Sequence, residues 1–527
     1  MKLNLQVLVL LIFVWSCEET SQMRAERSSF YSEEPEPAAS PDTSVGDDSE
    51  IEKEGLADDD AVSAPAVSLL PSCADLKDDY FQSQPTTCGI EEDLCTQHQL
   101  QVAPIFSDRM VLQRGERTIV WGEGYPEEFI TVKLGDREAC GLTDENGRWE
   151  VKFNPLVAGG PFDLFVEGDE ERNTLEIKDI LVGDVWISSG QSNMVWPLSK
   201  SIGGIQTVNN IDLSNLRFYN VGTNKSRMPL QNLVKSSSQG WRTANSDNRK
   251  ALLEFSAVAF FFGRKIHQDT GIPIGLINSS SGGTRVEPWT PEKDRDSVDS
   301  VLYNAMIHPL VPMAIKGFIW YQGESNAQQG VQYQFLFEKL VNNWRSRFKN
   351  PELPFYYSQL AAFSQRDFTG VKRAQSNVLK STKNTGMAVI TDVSTLRDIH
   401  PPNKKPVGER LALWALAKDY NQSDIVYSRS VPKSLAIRGN KAVITFDHVG
   451  SGLKSRDNKP LSFFEVAGSK NGPYYPASVI DIAVDQLIIA CDLVARPAVI
   501  RFGWSSAAIP NLVNSAGLPA SVFQISK

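Results

Sequence analysis

Gly190-Gln191-Ser192-Asn193-Met194 sets a serine beside a glycine, directly after an apolar run, and Asp398-Ile399-His400-Pro401 sets a histidine two residues after a carboxylate. A serine hydroxyl is a weak nucleophile until a base takes its proton. His400 can supply that base. Asp398 can orient the ring and stabilise the imidazolium. The order Ser…Asp…His is one of several that build the same geometry. Two more clusters offer electrophilic help. Ser279-Ser280-Ser281-Gly282-Gly283-Thr284 holds paired glycines, whose backbone N–H groups can approach a ligand closely and stabilise a developing oxyanion. Tyr321-Gln322-Gly323-Glu324-Ser325-Asn326 brings a side-chain amide donor.

Each cluster alone has a plainer meaning. Ser192 fits a helix cap, the glycine pair a turn, His400 a surface position and Asp398 a cap for the next helix. Their recurrence after separate predicted strands favours a site. The serine motif is not the G-x-S-x-G elbow, because Asn193-Met194 replaces its second half. Of the five histidines, His98 lies in a cysteine-rich stretch, His267 on a predicted helix and His448 in late strands; His308 is the one rival base.

The elements that must position these groups alternate between strand and helix. Residues 184–189, 274–278, 316–321, 354–360 and 387–391 read as strands, and 255–270, 331–347 and 405–420 as helices. The stop at Gly271-Ile272-Pro273 ends the first helix. Such alternation predicts a parallel sheet flanked by helices, with chemistry at the carboxyl ends of the strands. The flanks differ. From about 100 to 180, short alternating runs at 117–122, 129–134 and 149–153 predict a small antiparallel sandwich. Asn146-Gly147 there is a hairpin signal. From 425 to 527 alternating strands return, at 441–446 and 486–490. The expected domains are 73–180, 181–424 and 425–527, after a leader at 1–17 and a tether at 18–72.

Hydrophobic residues make up 41% and charged residues 22% of the 527, which excludes a mostly disordered chain. The net charge of −10 is localised: residues 18–70 hold 15 acidic and 3 basic side chains, and 71–527 net +1. A near-neutral body argues against nucleic acid as a partner. The 18–70 stretch is poor in aromatics and reads as an extended, self-repelling tether. Asp58-Asp59-Asp60 lacks the spacing of a calcium loop. Lys2 and the apolar run at 7–15 fit an export signal too short to span a membrane. Val14-Trp15-Ser16-Cys17 resembles a bacterial lipobox, in which Cys17 would carry lipid; plain secretion is the alternative. The expected location is therefore periplasmic or cell-surface, with membrane contact only through that anchor. Cys73, Cys88 and Cys95 are expected to hold one disulfide, and the odd total after Cys17 leaves at least one thiol free or paired between chains. No CxxC is present, and no metal site is expected.

Taken in order, 190–194, 320–326 and 398–401 resemble the sialate O-acetylesterase branch of the SGNH hydrolases. The similarity extends to Phe106-Ser107-Asp108-Arg109-Met110-Val111-Leu112-Gln113 and to Gly517-Leu518-Pro519-Ala520-Ser521, so it covers about 102–527. The resemblance implies an α/β fold: an SGNH (flavodoxin-like) three-layer α/β/α catalytic domain with N- and C-terminal β-sandwich-like accessory domains. It implies acetyl ester hydrolysis through an acetyl-serine, with no cofactor and no metal. Ser192 matches the nucleophile, His400 the base and Asp398 its partner. The oxyanion donors would be the Ser192 amide, an amide at Gly283 and the Gln322 side chain. Gln322 stands where many SGNH enzymes carry asparagine, and Asn326 is the alternative. Glu324 would act through hydrogen bonds that orient the site or, with Asn326 and Arg285, toward substrate. Glu287 and Trp289 follow the same glycine loop. Ser281 departs from the bulky aromatic that members often carry before the glycine pair. The expected substrate is an acetylated sugar: O-acetyl sialic acid, or acetylated xylan or another glycan. A non-catalytic carbohydrate-binding lipoprotein is the reading from another class.

Overall fold

The computed structural model describes residues 73, 74, 76 and 99–527, apart from 170–173, 210, 236–239 and 292–299. The leader, Cys17 and the acidic stretch lie outside the described residues.

A mixed central sheet positions the chemistry. Its strands are β1 (Thr174–Gly190), β2 (Asp212–Asn220), β3 (Arg242–Asn245), β4 (Ile274–Ser280), β5 (Gly317–Tyr321), β6 (Phe355–Ser358) and β7 (Thr385–Ala388). Their order is β3-β2-β4-β1-β5-β6-β7, and every neighbouring pair is parallel except β3 with β2. The strands β4, β5 and β6 are buried along their whole length, as expected for strands covered on both faces.

The covering helices are α1 (Ser192–Val195), α2 (Ala257–Thr270), α3 (Gly330–Arg347), α4 (Thr369–Ser381) and α5 (Lys405–Asp419). Side chains alternate across a strand, so Tyr356 faces away from Phe355 and Tyr357. Tyr356 meets Trp186 and the Trp414 of α5, and Trp186 meets the Phe262 of α2. Phe355 and Tyr357 meet the Phe337 of α3, and the Tyr357 hydroxyl donates to the Gln375 carbonyl of α4 at 2.6 Å. Helices therefore cover both faces. The sequence sets their ends. Ser256 accepts a hydrogen bond from the Ala259 amide at 3.2 Å, and Gly271 closes α2 with φ +71°.

The N-terminal strands attach to the first half of β1. Gly159–Glu167 pairs antiparallel with it and Val111–Gln113 parallel. One continuous strand thus runs from the β region into the central sheet, and one hydrophobic cluster spans both. The hairpin expected at Asn146-Gly147 is corrected by the pairing. Gly147 does turn with φ +73°, but Arg148–Phe153 pairs with Thr118–Glu123 while Arg137–Leu142 pairs with Phe129–Leu134. The turn joins two sheets, because the flanking apolar faces pack on each other rather than side by side.

Seven antiparallel strands between Val431 and Ser526 form the C-terminal sheet over a second hydrophobic cluster. Cys73 is disulfide-bonded to Cys140, not to Cys88 or Cys95, which lie outside the described residues. Cys491 is a free, buried thiol.

Candidate active site

Three strand ends meet in register. Gly190 of β1 lies opposite Ser280 of β4 and Tyr321 of β5. The loops that leave these strands are the three clusters seen in the sequence. Gly190 is required here: its φ is +136°, and a Cβ would stand 2.2 Å from the Tyr321 carbonyl oxygen. The Gln191 amide donates to that same oxygen at 3.0 Å, and the Ser281 amide donates to the Gly190 carbonyl at 3.1 Å. The chain then turns straight into α1, with Ser192 as its first residue. The Ser192 N–H therefore has no acceptor within the helix.

His400 arrives from the segment before α5. Its Nε2 lies 2.8 Å from the Ser192 Oγ. The Trp196 ring stacks on the imidazole at 5.4 Å between centroids and 20° between planes. Burial, together with the Lys404 ammonium, holds His400 below the ordinary imidazole range, while Asp398 acts the other way. A neutral imidazole at neutral pH has the lone pair a base needs. The Asp398 carboxylate stands 3.7 Å from the His400 Nδ1 and is 58% exposed. Its tighter bond goes to the His400 backbone N–H, at 2.8 Å. It sets the loop that carries the ring as well as the field around it.

The glycine loop closes the other side. A Cβ at Gly282 would lie 3.7 Å from the Ser192 Cβ, so this backbone runs alongside Ser192. Gly283 follows with φ +71°, and both glycines are exposed.

Below Ser192 lies a buried polar network. The Asn193 Nδ2 donates to the Glu324 Oε1 at 2.5 Å and to the Ile399 carbonyl at 3.0 Å. The Lys404 ammonium donates to the Asn193 Oδ1 and lies 5.2 Å from the Tyr321 ring centroid and 5.5 Å from that of Trp196. Asn193 thus ties α1 to the loop after β5 and to both ends of the 399–404 segment. Burial pushes Lys404 down to about 7 and raises Glu324 above the usual carboxylate range. The Gln191 Oε1 adds a second tie by accepting from the Ser325 amide at 3.2 Å.

The structure corrects the expected role of Gln322. Its Nε2 donates to the Thr284 carbonyl at 3.1 Å and to the Asn326 Oδ1 at 2.7 Å, so both amide hydrogens are used. Its Oε1 accepts from the Tyr333 hydroxyl at 2.8 Å. Asn326 is no freer: its Nδ2 donates to Glu287 Oε2 and Gln329 Oε1 at 2.9 and 2.8 Å. These amides hold the glycine loop against the loop after β5. Glu324 and Asn326 are buried and face the interior, which removes them from direct contact with a ligand outside. Arg285 is exposed and pairs with Glu287 at 2.5 Å. Trp289 is buried, with its Nε1 donating to the Thr284 Oγ1 at 3.0 Å. The rival base His308 is engaged elsewhere, its Nδ1 lying 2.9 Å from the Leu230 carbonyl oxygen.

Sequence reasoning missed Asn193, Trp196 and Lys404 as parts of the site. Two signals were present: Asn193 adjoins Ser192, and Lys404 lies four residues beyond His400 at the start of a predicted helix.

The family model described as carbohydrate esterase, sialic acid-specific acetylesterase, matches residues 182–415. A sialate O-acetylesterase of Homo sapiens is 29% identical over 460 residues, which cover 77% of this chain and 87% of the relative. One of Mus musculus is 27% identical over 486 residues, covering 77% and 89%. The crystal structure of a carbohydrate acetylesterase from Xanthomonas citri superposes with a TM-score of 0.76 at 36% identity, covering 81% of this chain and 99% of that one.

Proposed function

Because the chain belongs to the sialate O-acetylesterase family and is a carboxylic ester hydrolase, we propose that it removes acetyl groups from sugars through a Ser192–His400–Asp398 centre. The 2.8 Å contact between Ser192 Oγ and His400 Nε2 carries this reading. Ser192 attacks the acetyl carbonyl carbon while His400 accepts the hydroxyl proton. The tetrahedral oxyanion faces the backbone amides of Ser192 and Gly283. His400 then gives its proton to the leaving sugar oxygen, and the acetyl group stays on Ser192. Water, deprotonated by His400, attacks the acetyl-serine, and as acetate leaves the imidazolium returns that proton to the Ser192 Oγ. Asp398 stabilises the imidazolium through the field of its carboxylate.

In this reading 181–424 is a three-layer SGNH-type domain, with 73–180 and 425–527 as accessory β domains. The protein is exported, and Cys17 is its lipid attachment point. An O-acetylated sialic acid is the first substrate to test, because the relatives are named for it; acetylated xylan is the second, because the solved neighbour is described only as a carbohydrate acetylesterase. The experiment is acetate release by the protein and by Ser192→Ala, on 9-O-acetyl sialic acid, acetylated xylan and 4-nitrophenyl acetate. Release that Ser192→Ala abolishes supports the mechanism, and the preferred substrate names the class. Absence of release from all three by folded protein overturns it.

A further inference from the structure

A cavity of about 180 Å³ lies between α4 and the C-terminal sheet. Its lining includes Arg373, Lys380 and Arg429 and contains no aspartate or glutamate. Neither Ser192 nor His400 lines it. Arg429 is 5% exposed, and its Nη1 has no hydrogen-bond partner. The adjacent Ser430 is 1% exposed, and its Oγ is likewise unpartnered. At the rim, the Arg373 guanidinium lies 4.3 Å from the Trp504 ring centroid and that of Arg501 lies 4.6 Å from it. Among the described residues, none of Arg373, Lys380, Arg429 and Arg501 has a carboxylate within salt-bridge distance.

This arrangement is costly without an anion. A guanidinium taken out of water and left without a carboxylate gives up solvation that nothing replaces. Burial pulls Arg429 down to about 10, with no carboxylate to oppose it. Burial and then the neighbouring Arg501 lower Arg373 as well. The group that suits this cationic lining is an oxyanion, because a guanidinium fork matches two of its oxygens. The cavity is roomy enough for a charged group such as a carboxylate or sulfate.

We propose that this cavity is an oxyanion-binding site, in which Arg373, Lys380 and Arg429 hold a carboxylate, sulfate or phosphate group. The group comes either from a free inorganic anion or from an acidic sugar, and the site is separate from the ester chemistry.

Isothermal titration of the full chain tests this, with sodium sulfate, sodium phosphate, glucuronate and glucose at fixed ionic strength. Saturable binding of at least one oxyanion is expected, with glucose silent. Affinity should fall at least tenfold in Arg429→Met and at least threefold in Arg373→Gln. Glucuronate binding tighter than sulfate and phosphate assigns the site to acidic sugars, and the reverse assigns it to inorganic anions. Absence of saturable binding overturns the proposal, as does binding that Arg429→Met and Arg373→Gln leave unchanged. If Arg429→Met fails to fold, Arg373→Gln and Lys380→Gln, both at exposed positions of α4, decide alone.

Discussion

The Nε2 of His400 lies 2.8 Å from the Oγ of Ser192, although 208 positions separate the two residues in the chain. One comes from the first turn after a buried strand and the other from the loop before α5. The contact has the length of a hydrogen bond in which a neutral imidazole accepts the hydroxyl proton. The consequences can be measured at several residues.

Removal of either partner should abolish the reaction. Ser192→Ala and His400→Gln are expected to lower kcat by about four orders of magnitude or more, as in other serine hydrolase centres. Far-UV circular dichroism should be unchanged. A loss of less than tenfold in either variant would exclude the proposed roles.

Asp398 should matter less than either. Its carboxylate is 58% exposed and 3.7 Å from the ring, so water screens the interaction. Asp398→Asn keeps an acceptor for the His400 backbone N–H and should cost about tenfold to a hundredfold, less than the four orders expected at the nucleophile. Asp398→Ala also frees that N–H and should cost more. Equal losses in the two variants would show that loop anchoring contributes nothing.

The acid limb of kcat/KM should lie below about 6.5, the ordinary imidazole value, because burial and Lys404 disfavour the imidazolium. Activity is then retained as the pH falls through neutrality and is lost only when His400 protonates. Lys404, pushed to about 7, still carries its charge in that range. Lys404→Met removes a positive charge near the ring, so the limb should move to higher pH. A pH profile on 4-nitrophenyl acetate reads both limbs; a limb that stays put or moves to lower pH in the variant would refute the electrostatic coupling.

Two glycines give a steric contrast. Gly190→Ala would put a Cβ 2.2 Å from a backbone oxygen at φ +136°, and should cost on the order of 3 kcal/mol of stability. Gly283 has φ +71° with nothing within 4 Å of an added Cβ. Gly283→Ala should therefore cost only about 1 kcal/mol of backbone strain and keep its amide in place. Chemical denaturation of the two variants tests the ranking; a smaller loss at Gly190 would contradict the packing described.

Gln322→Leu should act through stability. It leaves the Thr284 carbonyl without its donor, at about 1–3 kcal/mol for a buried group left unpaired, while the Asn326 Oδ1 keeps the Val286 amide and the Tyr333 hydroxyl keeps the residue-322 main-chain carbonyl. A variant as stable as the parent but depressed in kcat would restore Gln322 as an oxyanion donor.

The sequence by itself determined the strand–helix alternation, the ends of the main helices and the serine and histidine that the fold brings together. Those features are local. A buried parallel strand reads as a short apolar run, α2 ends where Gly271 supplies a left-handed residue, and a serine or histidine after such a run stands at the sheet edge. Tertiary structure alone decided which polar groups spend their hydrogen bonds on each other. Asn193 meets Glu324 across 131 positions and Lys404 across 211, and Gln322 reaches Thr284 across 38. The same holds for Cys73, which meets Cys140 across 67 positions. A residue type states which bonds a side chain is able to make. Which of them it makes depends on the neighbours that packing delivers, and those neighbours come from segments no local pattern connects.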